Sequence, residues 1–275
     1  MVITGFSVHD VRFPTSLTGD GTDAMNKSCD YSAAYLKLVA RKETEEPLTG
    51  YGMTFTIGRG NELCRDAITT IVSTLLIGQD LETMFSDMGK TWSYLVSDPQ
   101  LRWLGPETGV IHLATAAVVN GIWDLFARSR RQPLWQLLSS FTPEEFVAVI
   151  PFRYITDALT PGQALAILRA NEPDKQQRIQ EMLRDGYPAY TTSAGWSGYS
   201  DEKVARLVRS ALAQGFNHFK LKVGVGVEDD NRRLGIMRKI IDDPNEMPKG
   251  RKMPSPETLV GKNAGPTGCV VMVRA

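Results

Sequence analysis

Cysteine is scarce in this 275-residue chain, and the three present, Cys29, Cys64 and Cys269, are odd in number and far apart. That spacing supplies neither a disulfide framework nor a metal knuckle, which points to a reducing compartment. Net charge is missing as well, since 31 Lys and Arg balance 31 Asp and Glu. Without a polybasic footprint, nucleic acid and membrane are not the expected partners, and a small molecule remains. No apolar run reaches the about 18 residues of a membrane span. The start, Met1 to Pro14, alternates like a strand and has no basic or Arg-rich leader character, so a cytoplasmic protein is expected, with mitochondria left open. Repeats of fixed period are lacking too.

What is present is ordinary for a soluble globular protein: 42% apolar and 23% charged residues, enough for one large or two moderate domains. Val2 to Phe13 predicts a strand with one irregularity, and Tyr35–Ala40 and Gly50–Ile57 two more, joined by a charged turn at 41–47 into an antiparallel meander. Helical periodicity begins near Asn61, with another helix expected over Leu81–Leu95. Gly105 to Leu138 carries the longest helical signal, with small residues such as Ala114, Ala116 and Ala117 on a face that lets another helix approach closely. His112 and Asp124 lie within it without a partner at metal-ligand spacing, so both read as structural, His112 as an interior histidine. Val147 to Ile150 reads as a short buried strand running into Phe152-Arg153-Tyr154, and a domain boundary is placed just before it, dividing the chain into 1–145 and 146–275. A helix-like 164–183 follows. The turn-rich 186–199, with Tyr187, Tyr190, Thr191, Thr192, Trp196 and Tyr199, reads equally as pocket lining or as a surface insertion.

The most informative stretch is Phe219-Lys220-Leu221-Lys222-Val223. Side chains alternate along a strand, so Lys220 and Lys222 point the same way, roughly 7 Å apart, opposite a wholly apolar face. An amphipathic edge strand with both lysines in water is one reading. The flanks favour the other. Ser200 can cap a helix to about Gln214 with Val204, Leu207, Val208 and Leu212 in its stripe, Gly215 stands at its stop, and Glu228–Ile241 predicts a second helix. Helix, strand and helix with short links make a βα repeat, whose strands are buried on both faces in a parallel sheet or barrel, with catalytic groups at the strands' C-terminal ends. Two ammonium groups in such a pocket disfavour each other's charge, and a lysine with a lowered pKa is a general base.

Three features together, Trp123-Asp124-Leu125-Phe126 followed by Pro133-Leu134-Trp135-Gln136-Leu137-Leu138, the α+β first half, and Lys220-Leu221-Lys222, resemble the mandelate racemase branch of the enolase superfamily. Within it, Gly21-Thr22-Asp23-Ala24-Met25, Asp30-Tyr31-Ser32-Ala33-Ala34-Tyr35, Gln100-Leu101-Arg102-Trp103, His112-Leu113-Ala114-Thr115-Ala116-Ala117 and Phe152-Arg153-Tyr154-Ile155-Thr156-Asp157 are similar to the L-fuconate dehydratase family. The resemblance implies an α+β N-terminal capping domain followed by about three strands of a (β/α)7β TIM-type barrel. It implies removal of the proton next to a sugar-acid carboxylate, assisted by Mg²⁺, then loss of water to a 2-keto-3-deoxy acid. Lys222 would be the base and Lys220 would contact the carboxylate. Gly21, Thr22, Asp23 and Tyr31 would belong to a mobile capping loop that closes over substrate.

The resemblance runs from about His9 to Gly224. Residues 242–268, rich in Pro, Lys and Gly, read as an insertion loop, and Cys269–Val273 as a third, buried parallel strand. The family's metal carboxylates lie on the third to fifth barrel strands, the first within an Asp-Ala-Asn sequence, where this chain has Arg274 and Ala275. On that pattern the chain is expected to be a truncated form, inactive by itself and without a metal site. The alternative is a non-catalytic interaction protein that forms a homo-oligomer or pairs with a full-length relative.

Overall fold

The computed structural model describes residues 1–42, 46–105, 107–187, 189–243 and 245, and the backbone of 270–274. The chain forms two compact units. The first comprises 1–12 and 32–184, the second 13–31 and 185–275. Residues 146–184, expected in the second domain, thus lie with the first unit, and 13–31 lie with the second.

In the first unit, β1 (Val2–Arg12), β2 (Ser32–Arg41) and β3 (Leu48–Thr56) form the antiparallel meander in the order β1-β2-β3. The irregularity in β1 is a register shift between Ile3 and Gly5. Along β2, Leu36, Leu38 and Ala40 are buried while Tyr35 and Lys37 are exposed, as a one-sided sheet requires. Four helices follow: α1 (Asn61–Ile71), α2 (Leu81–Ser86), α3 (Met88–Val96) and α4 (Gly109–Ser129). The single helix expected over 81–95 is two, because Asp87 accepts from the Lys90 amide and starts α3 afresh.

The element that approaches the small face of α4 is a strand, not a helix. A Cβ on Gly52 would fall 1.9 Å from the Ala117 carbonyl oxygen, and one on Gly50 would fall 2.4 Å from Leu125 Cγ. Two bare glycines in β3 therefore let α4 lie directly on the sheet. α4 is long and apolar enough by composition to cross a membrane, yet Ala114, Ala117, Val118, Ile122 and Leu125 are fully buried in the core with Leu36, Leu38 and Ile68. On the outer edge of β3 the Asp124 carboxylate accepts from the Tyr51 amide at 2.8 Å and from Arg128 Nε at 2.7 Å. Asp124 is structural, as expected, whereas His112 is exposed on α4 and not interior.

Helices α5 (Leu134–Ser140), α6 (Pro143–Ala148), α7 (Pro161–Ala170) and α8 (Lys175–Asp185) complete the unit. The strand expected at 147–150 is absent. Thr142 and Glu145 form a capping box, with Pro143 at the first helical position, so helical start signals carry the chain through Ala148 and override a run with three β-branched residues in four. Phe152–Tyr154 is a single 3-10 turn.

In the second unit Ser200 accepts from the Lys203 amide and caps α9 (Asp201–Ala213), whose Val204, Val208 and Leu212 are buried, and Gly215 takes a φ of 91°. β4 (His218–Lys222) and α10 (Val227–Ile241) follow, and Phe219, Leu221, Met237, Ile240 and Ile241 close a small core with the α9 stripe. Thr191 bridges Phe219 in parallel, but β5 (Val270–Arg274) pairs with β4 antiparallel. Among the described residues, the expected arc of about three parallel barrel strands is therefore not formed. Most of the expected insertion loop, 242–268, and Cys269 lie outside the described residues.

Candidate active site

The alternation of β4 sends Phe219 and Leu221, both 0% exposed, into the core and turns Lys220 and Lys222 to the opposite face, half-buried. The backbone beside them is held by 191–195: Lys220 N donates to Thr191 O at 2.9 Å and Lys222 N to Gly195 O at 2.8 Å. Gly195 must be glycine there, because a Cβ would sit 2.2 Å from the Lys220 carbonyl oxygen.

The two lysines have separate surroundings. Lys222 Nζ lies 3.7 Å from Asp23 Oδ2, with the two side chains 18% and 19% exposed, and 5.6 Å from the Trp196 ring centroid. Tyr31 meets Trp196 edge-on, centroids 6.0 Å apart. Lys220 Nζ instead donates to the Tyr190 hydroxyl at 3.3 Å. The aromatic stretch 186–199 thus lines the lysine face, through Tyr190 and Trp196.

Asp23 is preorganised as an acceptor: the amides of Met25 and Asn26 donate to its Oδ1 at 2.9 and 2.7 Å. Burial pushes its pKa up, but those amides, the Asn26 side chain and the Lys222 charge outweigh it and hold the carboxyl below the ordinary carboxylate range. Gly21, with φ 79°, lies against the Tyr31 ring, where a Cβ would be 2.2 Å from Tyr31 Cζ. The Tyr31 hydroxyl donates to Gly21 O at 3.3 Å, and burial, then Cys29 and Asp23, push its pKa up. Thr22 is 3% exposed; its hydroxyl donates to Gly19 O and accepts from Gly198 N, both at 2.7 Å. Of the expected substrate-binding residues, Asp23 presents its carboxylate to Lys222 and Tyr31 packs on Trp196, whose ring lies near Lys222, whereas Gly21 and Thr22 shape the turn. The loop is fastened within this unit rather than hanging free of it.

Two residues escaped the sequence reading. Asp20 accepts from the Tyr199 hydroxyl, from Lys203 Nζ at 3.0 Å and from the Thr18 hydroxyl at 2.7 Å. Burial raises its pKa, but Tyr199, Thr18 and Lys203 outweigh that and lower it; burial and Asp20 push Tyr199 up. Arg233, 1% exposed, donates to backbone carbonyls behind Lys222. Its spacing with Met237, Ile240 and Ile241 put it on the buried face of α10, the one signal that could have found it.

A hard divalent cation needs about six oxygen ligands. Asp23 Oδ1 is taken by the Met25 and Asn26 amides, and Asp230 Oδ2 accepts from Gly224 N at 2.7 Å while its Oδ1 is buried without a partner, so the carboxylate oxygens near Lys222 fall short of that number. Among the described residues no group of three His, Cys, Asp or Glu converges.

Residues 32–139 match the mandelate racemase / muconate lactonizing enzyme N-terminal domain. The chain is 54% identical over 242 residues to an L-galactonate dehydratase of Hypocrea jecorina, covering 88% of this chain and 53% of that protein. The crystal structure of human mitochondrial enolase superfamily member 1 matches with a TM-score of 0.80 at 46% identity, over 88% of this chain and 54% of the other. L-talarate/galactarate dehydratase of Salmonella typhimurium, solved with Mg and L-lyxarohydroxamate, shares the fold alone, at TM-score 0.53 and 18% identity over 85% of this chain and 47% of the other. The chain spans about half the length of the curated relatives it matches.

Proposed function

Because this chain belongs to the mandelate racemase/muconate lactonizing enzyme branch of the enolase superfamily, we propose that it supplies the base and the capping loop of an acid-sugar dehydratase site. Lys222, as its neutral amine, takes the proton α to the substrate carboxylate; the C–H bonding pair forms the C–C double bond as the hydroxyl on the neighbouring carbon departs, taking a proton from the Lys222 ammonium just formed and leaving as water, and the enol becomes a 2-keto-3-deoxy acid. Lys220 pairs with the substrate carboxylate, and Asp23 and Tyr31 accept from and donate to sugar hydroxyls. L-Fuconate is the proposed substrate, with L-galactonate the nearest rival, since a relative carries that name.

The observation that carries this reading is the Lys222 side-chain nitrogen, four-fifths buried at a strand end beside Asp23 and Trp196, with Lys220 on the same face. Among the described residues no three metal-ligating side chains converge, so no step is routed through a metal, and turnover is assigned to a protein that carries further ligands. The test joins residues 1–224 to the remaining half of the Hypocrea jecorina relative. The chimera should form a 2-keto-3-deoxy acid from L-fuconate, and Lys222→Ala should lose about a hundredfold or more in kcat. Turnover of Lys222→Ala near that of the parent sinks the assignment.

A second reading, a non-catalytic partner of a full-length relative, is favoured by the exposed apolar sheet face of Tyr35, Tyr51, Met53 and Phe55. Sedimentation of the chain with and without a relative separates it from the first.

A further inference from the structure

Arg233 heads the fully buried side chains by volume, and it makes no ion pair among the described residues. Its Nη1 donates to the Lys222 carbonyl at 2.9 Å, and its Nη2 to the carbonyls of Trp196 at 2.6 Å and Gly195 at 3.3 Å. Nε is buried without a partner. The Gly195 carbonyl also accepts from the Lys222 amide, so Gly195, Lys222 and Arg233 close a ring of hydrogen bonds. One turn earlier on α10, Asp230 accepts from Gly224 N at 2.7 Å. The start of α10 therefore grips the chain on both sides of Val223.

Packing does not require this arginine. Met237, Ile240 and Ile241 already seal α10 onto the unit's core, whereas a buried guanidinium without a carboxylate partner carries a desolvation cost. Burial pulls its pKa down, against the opposing charges of Asp229 and Asp230. What the cost secures is geometry. One planar fork binds the backbone of Lys222 and the backbone of Trp196, over whose ring the Lys222 ammonium lies.

We propose that Arg233 is a positioning residue, which fixes the Lys222 ammonium relative to Trp196 and Asp23 by clamping the main chain of both segments. The proposal rests on Lys222 being the reactive group, but its test does not depend on turnover. Amine acylation of the 275-residue chain, read lysine by lysine by mass spectrometry well below the melting transition, gives the ratio of Lys222 to Lys220 labelling. Lys220 is the internal reference, because it shares the strand yet contacts Tyr190.

Arg233→Met should raise the ratio about two- to fivefold, the size of losing a half-buried pair restraint. Arg233→Lys, which reaches a carbonyl but cannot span both segments, should raise it less. A merely structural arginine would loosen both lysines alike and leave the ratio unmoved, and that result in folded Arg233→Met overturns the proposal. If Arg233→Met does not fold, an unchanged ratio in Arg233→Lys overturns it equally. Should Lys222→Ala retain turnover in the chimera while the ratio still shifts, the reading of Lys222 as base falls and the clamp stands.

Discussion

The two units hold themselves together by different means. The first is a layered apolar core in which α4 rests on β3 through Gly50 and Gly52. The second has a small core of α9, β4 and α10, and its loop 13–31 is fastened by hydrogen bonds that Asp20 accepts from the Tyr199 hydroxyl and Lys203, and that Thr22 accepts from the Gly198 amide. Apolar layers tolerate little change in volume, while polar fastening tolerates volume changes but not the loss of a donor or acceptor. Lys222 sits in the unit of the second kind, where its backbone is held by directional bonds to Gly195 and Arg233.

The largest expected effect breaks the apolar side of this contrast. Gly52→Leu forces a side chain into the Ala117 carbonyl and should cost more than about 4 kcal/mol, read by chemical denaturation. A loss under about 1 kcal/mol would show that α4 does not rest on β3. Next comes Thr22→Val, isosteric but without the hydroxyl. It leaves the Gly198 amide buried without its acceptor and should cost about 1–3 kcal/mol, with faster amide exchange at Gly198 and none at Leu38. Equal acceleration in both places would mean that the units do not unfold separately.

A smaller effect is set by pH. Asp20 has a folded pKa below its unfolded value, so its contribution is present above about pH 4 and is lost as the pH falls through the folded value. Tyr199 is shifted the other way, so its contribution is present below about pH 10 and declines above it. Protease cleavage within 13–31 should therefore rise at both extremes, and Asp20→Asn should remove the acid limb. The smallest effect is expected for Asp23→Ala and Tyr31→Phe, each changing stability by less than about 1 kcal/mol while weakening sugar-acid binding in the chimera. A larger stability loss with unchanged binding would make both structural.

Period-two alternation made the meander legible, including one irregularity in its first strand whose position, between Ile3 and Gly5, only the pairing shows, because a one-sided sheet writes its burial into every second residue. The same rule placed Lys220 and Lys222 on one face. Cap and stripe gave α9, from Ser200 to Gly215. Val147–Ile150 misled because β-branched content was weighed without the Thr142-Pro143-Glu144-Glu145 start signal ahead of it. The small face of α4 was visible, but its partner was not, since close approach depends on two glycines 65 or more residues upstream. Asp20 and Arg233 act through backbone and distant side chains, contacts that no local period encodes.

Asp124 at the rim of β3 has a consequence for assembly. Its carboxylate occupies the outward amide of Tyr51, and at the opposite rim Ile3 exchanges backbone bonds with Gln79 and Gly78. One position on each border of the three-stranded sheet is thus taken up before an incoming strand could use it. Growth by strand addition, the route to fibrils and swapped dimers, is hindered at these positions, while the outer face carries Tyr35, Met53 and Phe55 exposed.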